Sequence, residues 1–249
     1  MMKRNVSRCR GKAILVAVIC GLFTLGLFLP CIAGGADNNP GIAPINASPY
    51  GKTYSEWAAE WWHWALETPV KSNPINTGNC YDAQKGHVWF IYGTFGGPSP
   101  VERTCTVPSG TALFFPLLNT CVFGIDPDPP SVQELRDLLS CTVPSDLEVT
   151  IDGAAIKNPT QYFEESAVFE LHMPFPNILG WDPAWWDLSE LYLHPGVDLG
   201  YYLFLYPLPV GTHEISFKGS WLCSGNAEPF GLDVTYHIEV EPHSSSMHR

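Results

Sequence analysis

The chain has 249 residues, 45% of them apolar and 13% aromatic, a composition that excludes disorder for its body and is long enough for one sizeable core. All 25 acidic residues but only eight of the 13 lysines and arginines lie beyond residue 33, so that part carries a formal charge of −17. With no basic patch to offset this charge, the chain is unsuited to nucleic acid and anionic lipid; solubility, a cation or a basic protein partner fit it better.

Lys3, Arg4, Arg8, Arg10 and Lys12 precede an apolar run over 13–29, which ends in Pro30 and the small-residue stretch 31–36. A basic start, an apolar middle and small residues at the exit predict a secretory signal peptide over 1–33, cleaved after Ala33 or Ala36. The alternative is an uncleaved anchor, because the run approaches the roughly 20 residues that span a bilayer; membrane contact is expected only in that case. A flexible segment over 34–52, one domain over 53–241 and a flexible tail over 242–249 are expected to follow.

The domain opens with TYSEWAAEWWHWALE over 53–67, which contains no Gly or Pro, offers Thr53 or Ser55 as a cap and is stopped by Pro69. Tyr54, Trp57, Trp61 and Trp64 recur at helical spacing, Trp62, Ala58 and Ala65 widen that stripe, and Glu56, Glu60, His63 and Glu67 share the opposite face. Beyond Pro69 come short β-like runs: 87–92, then 103–107 and 111–118 flanking the turn Pro108-Ser109-Gly110. A short helix capped by Ser131 is expected over 131–139. A strand over 147–151 meets Asp152-Gly153, a two-residue hairpin signal. Strands over 167–173 and 201–206 precede two alternating runs, 212–218 and 233–241, each with one apolar and one wet face. The expected fold is mainly all-β, an antiparallel sandwich or jelly roll with the Trp-rich amphipathic helix packed on it.

Several of these stretches resemble a group of exported bacterial proteins. The likeness rests on YSEWAAEWWHWAL (54–66), Gln84-x-Gly86-x-Val88-Trp89-Phe90, CTVPSGTALFFPL (105–117), Val149-Thr150-Ile151-Asp152-Gly153 and GYYLFLYPLPVGTH (200–213). It covers most of the chain beyond the expected leader and implies an exported globular domain. It implies no reaction and no catalytic residues.

Five cysteines lie beyond the expected leader, which fits two disulfides and one leftover thiol in an oxidising compartment. Proximity in sequence suggests Cys80–Cys105 and Cys121–Cys141, leaving Cys223. The segment 174–200 is long for a connection in a compact domain, and such loops often carry function. It sets Trp181, Trp185 and Trp186 among Asp182, Asp187, Glu190, His194 and Asp198. Ring faces beside carboxylates suit a sugar or polyol, which makes Trp181, Asp182, Trp185, Asp187, His194 and Asp198 the candidate ligand-binding residues. The plainer reading is a loop with its own small core. The helix tryptophans read as core and Glu60-x-x-His63 as a solvated face, since no second ligand pair accompanies it. His213, on the inward side of its strand by alternation, reads as a hydrogen-bonded core histidine. Asp126 and Asp128 offer hard oxygens to calcium but lack an EF-hand pattern.

The nucleophile elbow, zinc-protease, phosphate-loop and dinucleotide motifs are all missing from the sequence. The expected role is a secreted or envelope-associated, non-enzymatic binding or structural module, with a glycan, a divalent cation or a protein as its partner. The rival is an extracytoplasmic hydrolase using acids such as Asp182, Asp187 or Asp198 with His194.

Overall fold

The computed structural model describes residues 39–94, 100–125, 128–223 and 228–242. The expected signal peptide, residues 34–38, Asp126 and the tail beyond Pro242 lie outside them. Helix α1 (Tyr54–Glu67) begins at a reciprocal cap: the Thr53 hydroxyl accepts from the Glu56 N–H and the Glu56 carboxylate accepts from the Thr53 N–H, at 3.2 and 2.7 Å. Two further helices are short, α2 (Pro74–Thr77) and α3 (Val132–Leu138), the latter with the same kind of box between Ser131 and Glu134.

Among the described residues, ten strands make two five-stranded sheets. The first runs β1 (Val88–Phe90), β3 (Ala112–Ile125), β8 (Leu191–Leu205) and β6 (Phe163–Glu165), with β7 (Phe169–Met173) also on β8. The second runs β2 (Val101–Pro108), β10 (Phe230–Glu241), β9 (Gly211–Trp221), β4 (Ser145–Ile151) and β5 (Ala154–Ala155). Helix α1 lies on one face of the first sheet, where the Trp57 ring meets Phe114 and Phe204 at 6.3 and 5.7 Å. The second sheet covers the opposite face through Phe115–Phe217 and Tyr201–Trp221, at 5.5 and 5.9 Å. Because the first sheet is buried on both faces, β3 and β8 read as unbroken apolar runs (ALFFPLL, GYYLFL). Strands β9 and β10 face the core on one side only, so they alternate. All four helix tryptophans are buried, as the stripe predicts.

The sheets are mixed rather than purely antiparallel: β1 pairs with β3, and β2 with β10, in parallel. The cause is the turn at Ser109-Gly110, which carries the chain from one sheet to the other instead of closing a hairpin. Strand β3 therefore returns beside β1 only after a crossover, in the same direction. By contrast, Asp152-Gly153 closes the predicted hairpin between β4 and β5, both residues in the left-handed region (φ 50 and 73).

The described part of 34–52 is not loose. Ala43 N–H donates to Phe204 O, Tyr206 N–H to Gly41 O and Asn39 Nδ2 to Tyr162 Oη, while Trp57 Nε1 donates to Pro49 O. The Tyr54 hydroxyl donates to Ala43 O at 2.7 Å and accepts from Phe204 N–H at 3.1 Å. A stretch that reads as loop by its Pro and Gly is tied to the free end of β8 by backbone hydrogen bonds.

Candidate functional site

A cleft of about 340 Å³ opens where the end of α1, β3, the 179–181 turn and the outer ends of β9 and β10 meet. Helix α1 contributes Trp61, Trp62 and Leu66; β3 contributes Asn119, Thr120, Cys121 and Phe123; Tyr92, Trp181, Trp221, Phe230 and Leu232 complete most of the wall. A mostly apolar concavity of this size with a few polar groups is the usual form of a small-molecule site.

Local structure holds these rings in place. Buried Asn177 clamps Trp181 at both backbone atoms: its Nδ2 donates to Trp181 O at 2.7 Å and its Oδ1 accepts from Trp181 N–H at 3.0 Å. Gly180 supplies the left-handed residue of that turn (φ 69). Trp61 Nε1 donates to Ile91 O, and the Tyr92 hydroxyl to Pro74 O. Both polar handles are thereby committed to backbone. The Cys141–Cys223 disulfide stands at the rim, with Cys223 among the lining residues.

Behind the cleft wall lies a sealed polar cluster. Asp198, fully buried, accepts the Tyr202 hydroxyl at 2.6 Å and stands opposite Cys121 on β3. Its N–H donates to Ser166 Oγ, and Arg136 of α3 donates to the Asp198 and Ser166 carbonyls. Burial lifts the Asp198 pKa from 3.8 to about 8, against the lowering pull of Tyr202, Trp62 and Arg136. Burial, with Asp198 as a second cause, likewise pushes the Cys121 thiol up. Trp62 Nε1, Asn119 Nδ2 and Asp198 Oδ2 are buried without a well-formed hydrogen bond, although Trp62 and Asn119 lie near Asp198 and Tyr202. Burial thus favours the protonated form of this carboxyl, which is closed off from solvent.

The six candidate residues of 174–200 fall in four places. Trp181 is a wall of the cleft and Asp198 sits behind it. Asp182 and Asp187 bracket a 3-10 turn (Pro183–Trp186): Asp182 Oδ1 accepts from Ala184 N–H at 2.9 Å, and Asp187 takes the left-handed position (φ 59). Trp185 is 65% exposed at the end of a run of ring contacts, Phe123–Trp181–Trp186–Trp185, with centroids 5.6, 5.7 and 5.8 Å apart. His194 belongs to another groove, where its ring stacks on Tyr192 at 4.3 Å. The acids and His194 do not converge on one space. Residues 191–200 are not loop at all but the first two thirds of β8. Pro195 and Gly196 disguise the strand. Gly196 is there because a Cβ would lie 2.6 Å from the Phe169 ring, and Gly200 because one would lie 2.7 Å from Asn119 Cβ.

The disulfides are Cys80–Cys105, as expected, and Cys141–Cys223 in place of Cys121–Cys141. Among the described residues, Cys121 is the free thiol. It lies in the middle of β3, whereas Cys141 follows α3 and meets the chain just past β9, so nearness in sequence misleads. His213 is hydrogen-bonded, with Nδ1 2.8 Å from Asp152 Oδ2 and Nε2 2.9 Å from Pro209 O. The polar stripe of α1 is only partly solvated: Glu67 accepts from His172 N–H of β7 and pairs with His63, whose pKa that hydrogen bond raises. Among the described residues, no three His, Cys, Asp or Glu side chains are placed to hold a metal ion. Nor is any helix there long and apolar enough to cross a membrane.

No family model and no curated protein matches the chain. Among solved structures, the solution structure of amebosin matches at 12% identity over 62% of this chain and 100% of that one, with a TM-score of 0.21, too low to bear on fold or function.

Proposed function

We propose that this chain is an exported, non-enzymatic binding module whose small-molecule ligand occupies the cleft between α1, β3, the 179–181 turn and the ends of β9 and β10. The observation that carries this reading is the cleft itself, a preformed, ring-lined space with Trp181 clamped at its mouth by Asn177. Two disulfides accord with an oxidising compartment. Hydrolysis by paired carboxylates needs two of them across one cleft; Asp182 and Asp187 sit together on a turn, neither among the residues that line the cleft, and Asp198 is sealed behind its wall. A thermal-melt screen of small molecules against the wild type and Trp181→Ala tests the reading. Ligands that raise the midpoint of the wild type and not of the variant are expected; a screen in which no compound discriminates the two proteins counts against it.

A second reading, carbohydrate on the Trp185–Trp186 face, is favoured by the exposure of those rings, 65% and 39%. It predicts that Trp185→Ala abolishes oligosaccharide binding.

A further inference from the structure

The lining of the cleft also restricts the chemistry of its occupant. None of the described residues around it is Asp, Glu, Lys, Arg or His. Charge is concentrated instead in the groove on the opposite side of α1, lined by Lys52, Glu56, Glu60, His63, Glu170 and His194. Moving an ion into the ring-lined cleft would leave it without a counter-charge, and the −17 formal charge beyond residue 33 adds a further penalty for an anion.

Side-chain hydrogen bonding is also limited. Trp61 and Tyr92 have spent their donors on backbone carbonyls. The orphan nitrogens of Trp62 and Asn119 are buried behind the surface that a ligand would touch. The other polar side chains of the lining include Thr94, Thr120 and the raised-pKa thiol of Cys121. A sugar that buried its hydroxyls here would lose about 1–3 kcal/mol for each one left unpaired. The indole and phenyl faces of Trp61, Trp62, Trp181, Trp221, Phe123 and Phe230 instead provide apolar area and ring contacts.

We propose that the cleft selects an uncharged, predominantly apolar molecule of fused-ring or hydrocarbon character. This rests on the cleft being the binding site, and it names the ligand class of that site. Two probes with the same ring skeleton isolate the charge: N-phenyl-1-naphthylamine is neutral, and 8-anilinonaphthalene-1-sulfonate adds a sulfonate. Cellopentaose provides the polar arm. Binding is read by fluorescence titration with the wild type, Trp181→Ala and Trp185→Ala, the last changing an exposed ring outside the cleft.

The neutral probe is expected to bind about tenfold or more tightly than the sulfonate, with cellopentaose unable to compete. Trp181→Ala should weaken the neutral probe by about tenfold through loss of a wall, and Trp185→Ala by less than about twofold. Circular dichroism of both variants checks that each is folded. If the sulfonate binds as well as the neutral probe, or cellopentaose displaces it, with Trp181→Ala still the damaging change, the ligand class is overturned while the cleft stands. If no probe binding responds to Trp181→Ala, or Trp185→Ala alone removes it, the cleft reading falls as well.

Discussion

Asp198→Asn is expected to make the protein more stable at pH 8, by on the order of 3 kcal/mol, with the gain shrinking towards zero near pH 4. The sign follows from the direction of the shift. Burial raises the folded-state pKa from 3.8 to about 8, so between these values the folded chain holds a proton that the unfolded chain has released. Wild-type stability therefore carries a term that is fully present below about pH 4 and is lost as pH rises through about 8. A shift of that size corresponds to roughly 5 kcal/mol, and local relaxation and water entry reduce it. Asn keeps an oxygen for the Tyr202 hydroxyl and does not ionise. The carboxylates of Glu67 and Asp152 are shifted down and lose stability in the opposite direction, as pH falls, but they are common to both proteins and cancel in the difference. Urea denaturation of both proteins from pH 4 to pH 9 reads it. A difference that does not grow with pH would mean that Asp198 is ionised in the fold, held by Tyr202, Trp62 and Arg136.

The second large effect concerns the disulfide at the cleft rim. Cys141 and Cys223 close a loop of 82 residues and Cys80 and Cys105 one of 25. Chain entropy assigns about 4.5 kcal/mol to the first and about 3.5 kcal/mol to the second. Cys141→Ser with Cys223→Ser should therefore lower the urea midpoint more than Cys80→Ser with Cys105→Ser. It should also loosen the ends of β9 and β10 that carry Trp221 and Phe230, and so weaken any ligand of the cleft. An equal or smaller loss from the longer loop would show that native packing, not the cross-link, holds this rim.

Much of this architecture is legible in the residues. Helix α1 announces itself because its caps and its four-residue aromatic recurrence act locally, and the β4–β5 hairpin because Asp152-Gly153 suits the left-handed turn. Strands β9 and β10 show their alternation because one face of each is wet. The first two thirds of β8 are hidden, since Pro195, Gly196 and Gly200 look like breakers and are explained only by Phe169 and Asn119, side chains distant in sequence. The parallel pairings and the Cys141–Cys223 bond are likewise products of the crossover between sheets.

The site was legible only at Trp181. Its remaining walls are Trp61 and Trp62 of the helix stripe, Phe123 of a buried strand, and Trp221 and Phe230 at strand ends. Each has the signature of core. Nothing in a linear pattern says that these particular rings border a space instead of filling it. Concavity arises only when α1 and the two sheets stop short of one another. The loop acids drew notice through their company of tryptophans, yet their roles are a turn cap, a left-handed turn residue and a sealed acid.

The most direct measurement is a nitrogen-15 NMR titration of the tryptophan indoles with N-phenyl-1-naphthylamine, each signal assigned by single Trp→Phe replacement. The indole signals of Trp61, Trp62, Trp181 and Trp221 are expected to move together with a single affinity, while those of Trp89 and Trp185 stay in place. Shifts confined to Trp185 and Trp186 would contradict the account and relocate binding to the exposed surface of the 183–186 turn.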